Sequence, residues 1–199
     1  MDFIVETFRD WFYPIDFAVG IAAPLIVYAL YRAGRVEHLY WLLFFAGFAI
    51  GLTWEVPMQL ANETGLFSPV HAYTREPPAH FSVIIIMHSS WDGGIFLLGA
   101  ALARLVCGGP LFLRFRSCEL GVMVVWGQVS ALWVELTSTY GEAWHYIPKP
   151  WNPAMFHFNG SPITVLPQLI WLAAPVVFYF VGLFVSRMID RKSAEEGIS

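Results

Sequence analysis

Four ionisable residues lie within long apolar segments of this 199-residue chain: Glu55, His88, Asp92 and Glu135. An ionisable group inside a membrane segment is energetically costly, so each is a candidate functional residue. His88 and Asp92 are four residues apart, which on a helix places them on one face and within reach of a hydrogen bond. If successive segments cross in opposite directions, all four residues fall at a similar depth. We therefore expect them to line one cavity.

Tryptophans accompany these residues on the same segments: Trp54, Trp91, Trp126, Trp133 and Trp171. A desolvated carboxyl group keeps its proton and can act as an acid at neutral pH. Aromatic faces and anions can stabilise the carbocation formed when an alkene is protonated, and a base can then remove a different proton. This combination predicts a membrane-embedded isomerase or cyclase that acts on a sterol or other terpenoid alkene.

The sequence suggests separate roles for these groups. We expect Glu55 or the His88 and Asp92 pair to donate the proton, and Glu135 to be the second acid or base. Gln128 shares a helical face with Glu135 and is a candidate for substrate binding. Four tryptophans are expected to form the pocket walls: Trp54, Trp91, Trp133 and Trp171. The proposed chemistry needs no cofactor and no metal.

The composition places the chain in a membrane. Hydrophobic residues make up 57% and charged residues 13%, about half the charge of a soluble domain. Five apolar segments are long enough to cross the roughly 30 Å hydrocarbon layer as helices: residues 14–31, 38–60, 81–107, 117–138 and 165–186. We predict an all-α, five-helix transmembrane bundle that forms a single integral-membrane domain over residues 1–199.

The N-terminal residues predict a short amphipathic helix in the membrane interface. Ile4, Phe8, Trp11 and Phe12 recur at helical spacing. A frayed tail is the alternative. The charged residues in this stretch do not fit a signal peptide, so we expect the first apolar segment to be retained.

Basic residues predict the orientation. Eight would lie on one side of a five-helix bundle and three on the other, so the first side is expected to be cytoplasmic and the N-terminus outside or lumenal. The eight are Arg32, Arg35, Arg104, Arg114, Arg116, Arg187, Arg191 and Lys192, and the three are Arg9, Arg75 and Lys149.

The two loops on the non-cytoplasmic side, residues 61–80 and 139–164, are long. The second is rich in aromatic residues, and we expect it to fold back as a cap on the bundle. An aromatic belt at the membrane interface is the alternative. On the other side, Cys107 and Cys118 are expected to be free thiols, with a disulfide as the alternative.

Three short motifs resemble the emopamil-binding protein family, within the wider EXPERA group of membrane sterol isomerases and sigma-2-receptor-like proteins. Residues 168–175 are similar to the family's Asn-x-x-Trp-x-x-x-Pro, in which the tryptophan and its polar partner line the sterol pocket. The resemblance thus implies that Gln168 and Trp171 bind substrate. Residues 113–115, followed by Gly127 and Gln128, are similar to the entry and the middle of the family's fourth helix. Residues 76–81, before the third helix, are similar to a Glu-Pro-Pro-Ala-Trp-Phe stretch of the sigma-2 branch. The layout with a lumenal N-terminus agrees with the isomerase branch.

The chain also departs from this family. The isomerases pair a histidine and a glutamate one turn apart on the second helix with a glutamate on the third. Here the second helix has Gly51 and Glu55, the third has His88 at the position of the glutamate, and Asp92 is added one turn deeper. The resemblance therefore supports the family's fold better than it supports the family's specificity for sterols.

The expected partners are a hydrophobic small molecule, a sterol or terpenoid, and membrane lipid; a homo-oligomer is left open. The net charge is -4, so the chain has no positive electrostatic field to attract nucleic acid, and nucleic acid is excluded as a partner. Two other classes of function stay open. One is a non-catalytic lipid or sterol binder, or an accessory subunit of a membrane complex. The other is a metal site built from Glu55, His88, Asp92 and Glu135.

Overall fold

The computed structural model describes residues 2–65 and 67–195, and the side chains of 6–65 and 67–191. Within these residues the chain forms five helices: α1 (Asp2–Arg32), α2 (His38–Thr64), α3 (Phe81–Cys107), α4 (Ser117–Tyr140) and α5 (Val165–Glu195). Four short strands lie between them: β1 (His71–Tyr73), β2 (Trp144–Tyr146), β3 (Ala154–Phe158) and β4 (Ser161–Thr164). The predicted all-α, five-helix bundle is confirmed.

Each helix is long and apolar enough to cross a membrane. Many large apolar side chains face outward, among them Leu105, Val125 and Phe184, as expected where lipid replaces water. The chain is therefore an integral, multi-pass membrane protein.

The N-terminal amphipathic stretch is helical, but it is not a separate helix. It forms the first turns of α1, which runs without a break through Pro14. Phe8 and Phe12 face the bundle, where they pack edge-on against Tyr140 and Trp144 respectively. The side chain of Ile4 lies outside the described residues. Contact with the end of α4 and the loop after it explains why this segment does not lie flat on the membrane.

The core lies among α2, α3, α4 and α5. Leu43, Phe96, Met123 and Phe178 are almost completely buried there. The closest helix pair is α2 with α3, and small residues make this approach feasible. A Cβ atom added to Gly93 would lie 2.9 Å from the carbonyl oxygen of Phe44.

The predicted cap is confirmed for the first half of the second long loop. β2 pairs antiparallel with β1, which joins the two long loops at one end of the bundle. Arg75 fixes this layer to the helices, because its guanidinium donates to the carbonyl oxygens of Arg9 and Gly141 at 2.5 and 3.3 Å. The β3 and β4 hairpin instead presents Phe156 and Phe158 outward.

The expectation of free thiols is wrong. Cys107 and Cys118 form a disulfide at the opposite end of the bundle, with their Cα atoms 6.0 Å apart. The loop between them buries Leu111 and Phe112 in the core, which brings the ends of α3 and α4 together. Arg116 reinforces the loop by donating to the carbonyl oxygens of Gly108 and Cys107.

The contact between α2 and α3 gives a stability prediction. We expect Gly93→Ala to lower the free energy of unfolding by about 1–3 kcal/mol, because the backbone of α2 cannot yield to the added methyl group without moving the helix. Thermal unfolding in detergent measures the effect. Gly121→Ala is the matched control, since a Cβ atom there meets no other atom within 4 Å. Equal stability of the two variants would contradict the packing described.

Candidate functional site

A cavity of about 280 Å³ lies beneath the cap and is lined by residues from all five helices and from β1 and β2. Its lining includes Glu55, His88 and Asp92, so the structure brings together three of the four predicted catalytic residues. Most of the remaining lining is apolar or aromatic. Ile15 on α1 and Trp133 on α4 line the cavity and are also exposed on the outer face of the bundle. The cavity therefore opens toward the lipid beside these two helices.

His88 lies between two carboxylates. Its Nδ1 atom is 3.3 Å from Oε2 of Glu55 on α2, and its Nε2 atom is 3.3 Å from Oδ2 of Asp16 on α1. Both carboxylates and the imidazole are largely shielded from solvent. An imidazole with a carboxylate at each nitrogen is held in one orientation and can carry a positive charge shared between them. His88 therefore couples three helices in the wall of the cavity.

Asp16 was not among the site residues predicted from the sequence, although it is an ionisable residue within the first predicted apolar segment. The position of Asp16 is fixed twice, because its backbone carbonyl oxygen also accepts a hydrogen bond of 2.9 Å from Nε1 of Trp91. The same rule that selected Glu55 and His88, a charge inside an apolar span, identifies this residue.

Asp92 lies one turn from His88 but does not bind it. Its carboxyl group occupies the space left by Gly51, where a Cβ atom would collide with it. The Oδ2 atom is buried and has no hydrogen-bond partner among the described residues. A buried, unpaired carboxyl oxygen is costly, and least so when the group is protonated. Gly51 thus provides the room for a carboxylic acid at the cavity wall.

Aromatic side chains form much of the wall around these groups. The rings of Trp54 and Trp171 are 5.8 Å apart and tilted, and Trp144 of the cap lies 5.4 Å from the His88 ring. Trp91 completes this group. Of the predicted walls, Trp54, Trp91, Trp133 and Trp171 all line the cavity. Trp144 was not among them, because a loop residue gives no helical periodicity.

The cap adds two polar residues that the sequence did not single out. Tyr73 exchanges hydrogen bonds with the side-chain amide of Gln59, at 2.7 and 2.9 Å. His71 is buried, and its Nε2 atom lies 3.0 Å from Nδ2 of Asn62. Burial lowers the pKa of His71 to about 4, and the neighbouring imidazoles of His88 and His145 lower it further. His71 is therefore neutral at pH 7.

The remaining predicted residues lie elsewhere. Glu135 is not in the lining of this cavity; it is packed beside Ser138, Thr139, His145 and Tyr146, in a space too small to hold a water molecule. Gln128 donates a hydrogen bond of 3.0 Å to the backbone carbonyl oxygen of Gln168, so the pair links α4 to α5. Neither glutamine lines the cavity. Trp126 donates to the carbonyl oxygen of Ile95 and packs in the helix interface.

In the part of the chain that the structure describes, no three His, Cys, Asp or Glu side chains are arranged to hold a metal ion. The carboxylates at His88 approach opposite nitrogens of the ring, which does not direct them at a common point. No protein-family model, curated protein or solved structure matches this chain. The function is therefore argued from the site itself.

The environment of His71 gives a prediction about pH. Its pKa is about 6.5 in an unfolded chain and about 4 in the folded protein, so below pH 6.5 the unfolded chain binds a proton that the folded protein does not. This contribution is absent above pH 6.5 and destabilises the protein by about 3 kcal/mol as the pH falls to 4. We expect His71→Gln to flatten the dependence of unfolding free energy on pH in this window.

The exposed His157 on β3 provides the control, and His157→Gln should leave that dependence as in the wild type. Denaturant unfolding at a series of pH values measures both variants. If His71→Gln lost as much stability between pH 6.5 and 4 as the control, His71 would not be the buried neutral histidine described.

Proposed function

We propose that this protein is a membrane-embedded isomerase or cyclase that acts on a sterol or other terpenoid alkene by proton transfer. One observation carries the proposal: the carboxyl group of Asp92, whose Oδ2 atom has no hydrogen-bond partner among the described residues, lies in the wall of an aromatic, lipid-accessible cavity, one turn from the imidazole held between Asp16 and Glu55. This arrangement supplies an acid, a base and a cation-stabilising surface at one place.

Asp92 is the proposed donor. Its proton passes to one carbon of the alkene, whose π electrons form the new C–H bond and leave a carbocation beside the resulting carboxylate. Trp54, Trp91 and Trp171 offer π faces to this cation, a contact worth about 2 kcal/mol or more when desolvated. The cap keeps bulk water away, which strengthens these interactions and protects the cation from hydration.

Glu55 is the proposed acceptor. Its carboxylate contacts His88 through Oε2, which leaves the other oxygen to take a proton from a neighbouring carbon. The electrons of that C–H bond form the new double bond, either directly or after ring closure. Returning the proton from Glu55 to Asp92 restores the starting state, so no cofactor is consumed. Asp16 and His88 hold this carboxylate in place.

The resemblance to the emopamil-binding protein family favours a sterol-like substrate and an N-terminus outside or in the lumen. The excess of basic residues at the opposite end supports this orientation. In that arrangement the cavity lies in the non-cytoplasmic half of the bilayer, and a hydrophobic substrate reaches it from the membrane.

Amide substitutions test the proposal. Asp92→Asn and Glu55→Gln keep the side-chain shape but remove proton transfer, so each should reduce turnover by ~100-fold or more. The measurement is product formation from a panel of sterol and polyprenyl alkenes in reconstituted membranes. Glu76→Gln changes an exposed carboxylate outside the helices and should leave turnover unchanged. Wild-type turnover in both site variants would contradict the assignment.

A second candidate is a non-catalytic binder of cationic amphiphiles. Three carboxyl groups, from Asp16, Glu55 and Asp92, line the cavity, and with the tryptophans they could pair with an ammonium group. Binding of an amphiphilic amine that is lost in Glu55→Gln, without turnover of any alkene by the wild type, would favour this function. Mass spectrometry of the lipids that co-purify with the protein would identify the molecule that it binds.

A further inference from the structure

The two cap strands, β1 and β2, present one of their faces to the cavity. Alternate residues of a strand share a face, and the register sets His71 opposite Tyr146 and Tyr73 opposite Trp144. All four side chains line the cavity, and we call them the cap face. The cap therefore does more than exclude water, because this face adds an imidazole and two phenols to the cavity wall.

Two of these three polar groups have an atom without a hydrogen-bond partner. The hydroxyl group of Tyr73 is bound by Gln59. The Nδ1 atom of His71 and the hydroxyl group of Tyr146, by contrast, form no hydrogen bond with the described residues. His71 is only 6% exposed, and the centroids of the two rings are 6.2 Å apart. Buried polar groups are normally paired, so two unpaired groups side by side in a cavity wall indicate a place for a ligand.

Both unpaired groups are hydrogen-bond donors. Burial lowers the pKa of His71 to about 4, which leaves its ring neutral at pH 7 with one N–H group. Nδ2 of Asn62 is a donor, so Nε2 of His71 accepts and the ring hydrogen lies on Nδ1. Burial also raises the pKa of Tyr146 well above 10, so its hydroxyl group keeps its hydrogen. Two neutral donors suit an oxygen atom of a hydroxyl or carbonyl group, and they do not suit a cation.

The position of the cap gives the orientation in which such a ligand binds. A terpenoid with one polar oxygen keeps that oxygen near the membrane surface, because an unpaired polar group is costly in hydrocarbon. The cap lies at the end of the bundle, whereas Asp92 lies about three turns into α3 from that end. A molecule that enters sideways past Ile15 and Trp133 therefore brings its oxygen to the cap face and its hydrocarbon part to the carboxyl groups.

We propose that Tyr146 and His71 bind the oxygen atom of the substrate, a terpenoid or sterol that carries a hydroxyl or carbonyl group, and so hold its alkene beside Asp92 and Glu55. The proposal rests on the proposed function and adds the part of the substrate that is recognised. Tyr146 and His71 contact the substrate away from the reacting carbons, so they determine specificity and take no part in proton transfer. A terpene without oxygen leaves both donors unpaired and binds more weakly.

Paired ligands that differ in one oxygen atom test this subsite without turnover. The pairs are geranylgeraniol with the hydrocarbon that has a methyl group in place of CH2OH, and cholesterol with cholest-5-ene. Each is titrated into the protein in lipid nanodiscs, and the fluorescence of the cavity tryptophans reports binding. We expect the wild type to bind the alcohol of at least one pair about 10-fold more tightly than its hydrocarbon. Tyr146→Phe and His71→Phe should each lose most of this preference and keep the affinity for the hydrocarbon.

Tyr73→Phe is the matched control. It removes the same group as Tyr146→Phe from the same face, but that hydroxyl group is already bound by Gln59. It should therefore keep the wild-type preference for the alcohol. Equal affinities within both pairs would overturn the proposal, and so would a preference in Tyr146→Phe as large as that in Tyr73→Phe.

Turnover separates this proposal from the proposed function. For an unsaturated alcohol that the wild type converts, Tyr146→Phe should raise KM by about 10-fold and leave kcat nearly unchanged, because the oxygen is bound equally before and during the reaction. A fall in kcat at unchanged KM would assign Tyr146 to the chemical step and contradict the proposal. If the wild type converted no alkene, the proposed function would fail, while the binding preference would still decide whether the subsite exists.

Discussion

The imidazole of His88 is the contact on which the arrangement of the site depends. It joins Asp16 on α1 to Glu55 on α2 through α3, in a region from which water is largely excluded. Removing one partner from such a buried pair costs about 3–5 kcal/mol, because the remaining charge is left uncompensated. In the most apolar stretch of α1 only 11% of the residues are buried, against 44% in the corresponding stretch of α5. Polar contacts, including that from Trp91 to Asp16, therefore hold α1 against the bundle.

The same exclusion of water that makes this pair necessary is also what the proposed role of Asp92 as an acid requires. His88 is a hydrogen-bond partner of both Glu55 and Asp16. Asp92, one turn away, has one oxygen without a hydrogen-bond partner among the described residues. In a low dielectric a carboxyl group beside a cation and one without a partner differ in how readily they give up a proton, and proton-transfer chemistry needs groups of both kinds. The cap strand with His71 and Tyr73 maintains this environment, because neutral side chains close the cavity without adding charge.

Hydrophobic length predicted the helices well, since the cost of burying backbone and charge in lipid sets where a span can end. The third segment, 81–107, agrees with α3 at both ends. The expectations that were wrong depend on local contacts, which the length of an apolar segment does not encode. The first turns of α1 pack on the cap instead of lying in the interface, and burial of Phe112 brings the two cysteines together.

The sequence could predict where each candidate site residue lies along its helix. It could not predict the direction in which that side chain points around the helix. Glu135 lies beside Tyr146, which also lines the main cavity, and yet faces away from that cavity, because packing of α4 against the cap decides its rotation. Gln128 faces α5 for the same reason. Asp16 could have been predicted in the same way as the other site residues, because it is an ionisable residue within an apolar span. The placement of Tyr146 depends on pairing between two distant loops, which a single sequence does not reveal.

The proposed reaction moves protons between solvent-exchangeable carboxyl groups of the cavity and an alkene. Mass spectrometry of the product formed in D2O tests this most directly. A single turnover should place one deuterium on carbon, at the newly saturated position of the product, because the donor carboxyl exchanges with solvent before it reacts. A rearranged product that carries no deuterium would show that hydrogen moves within the substrate and would contradict the proton-transfer mechanism.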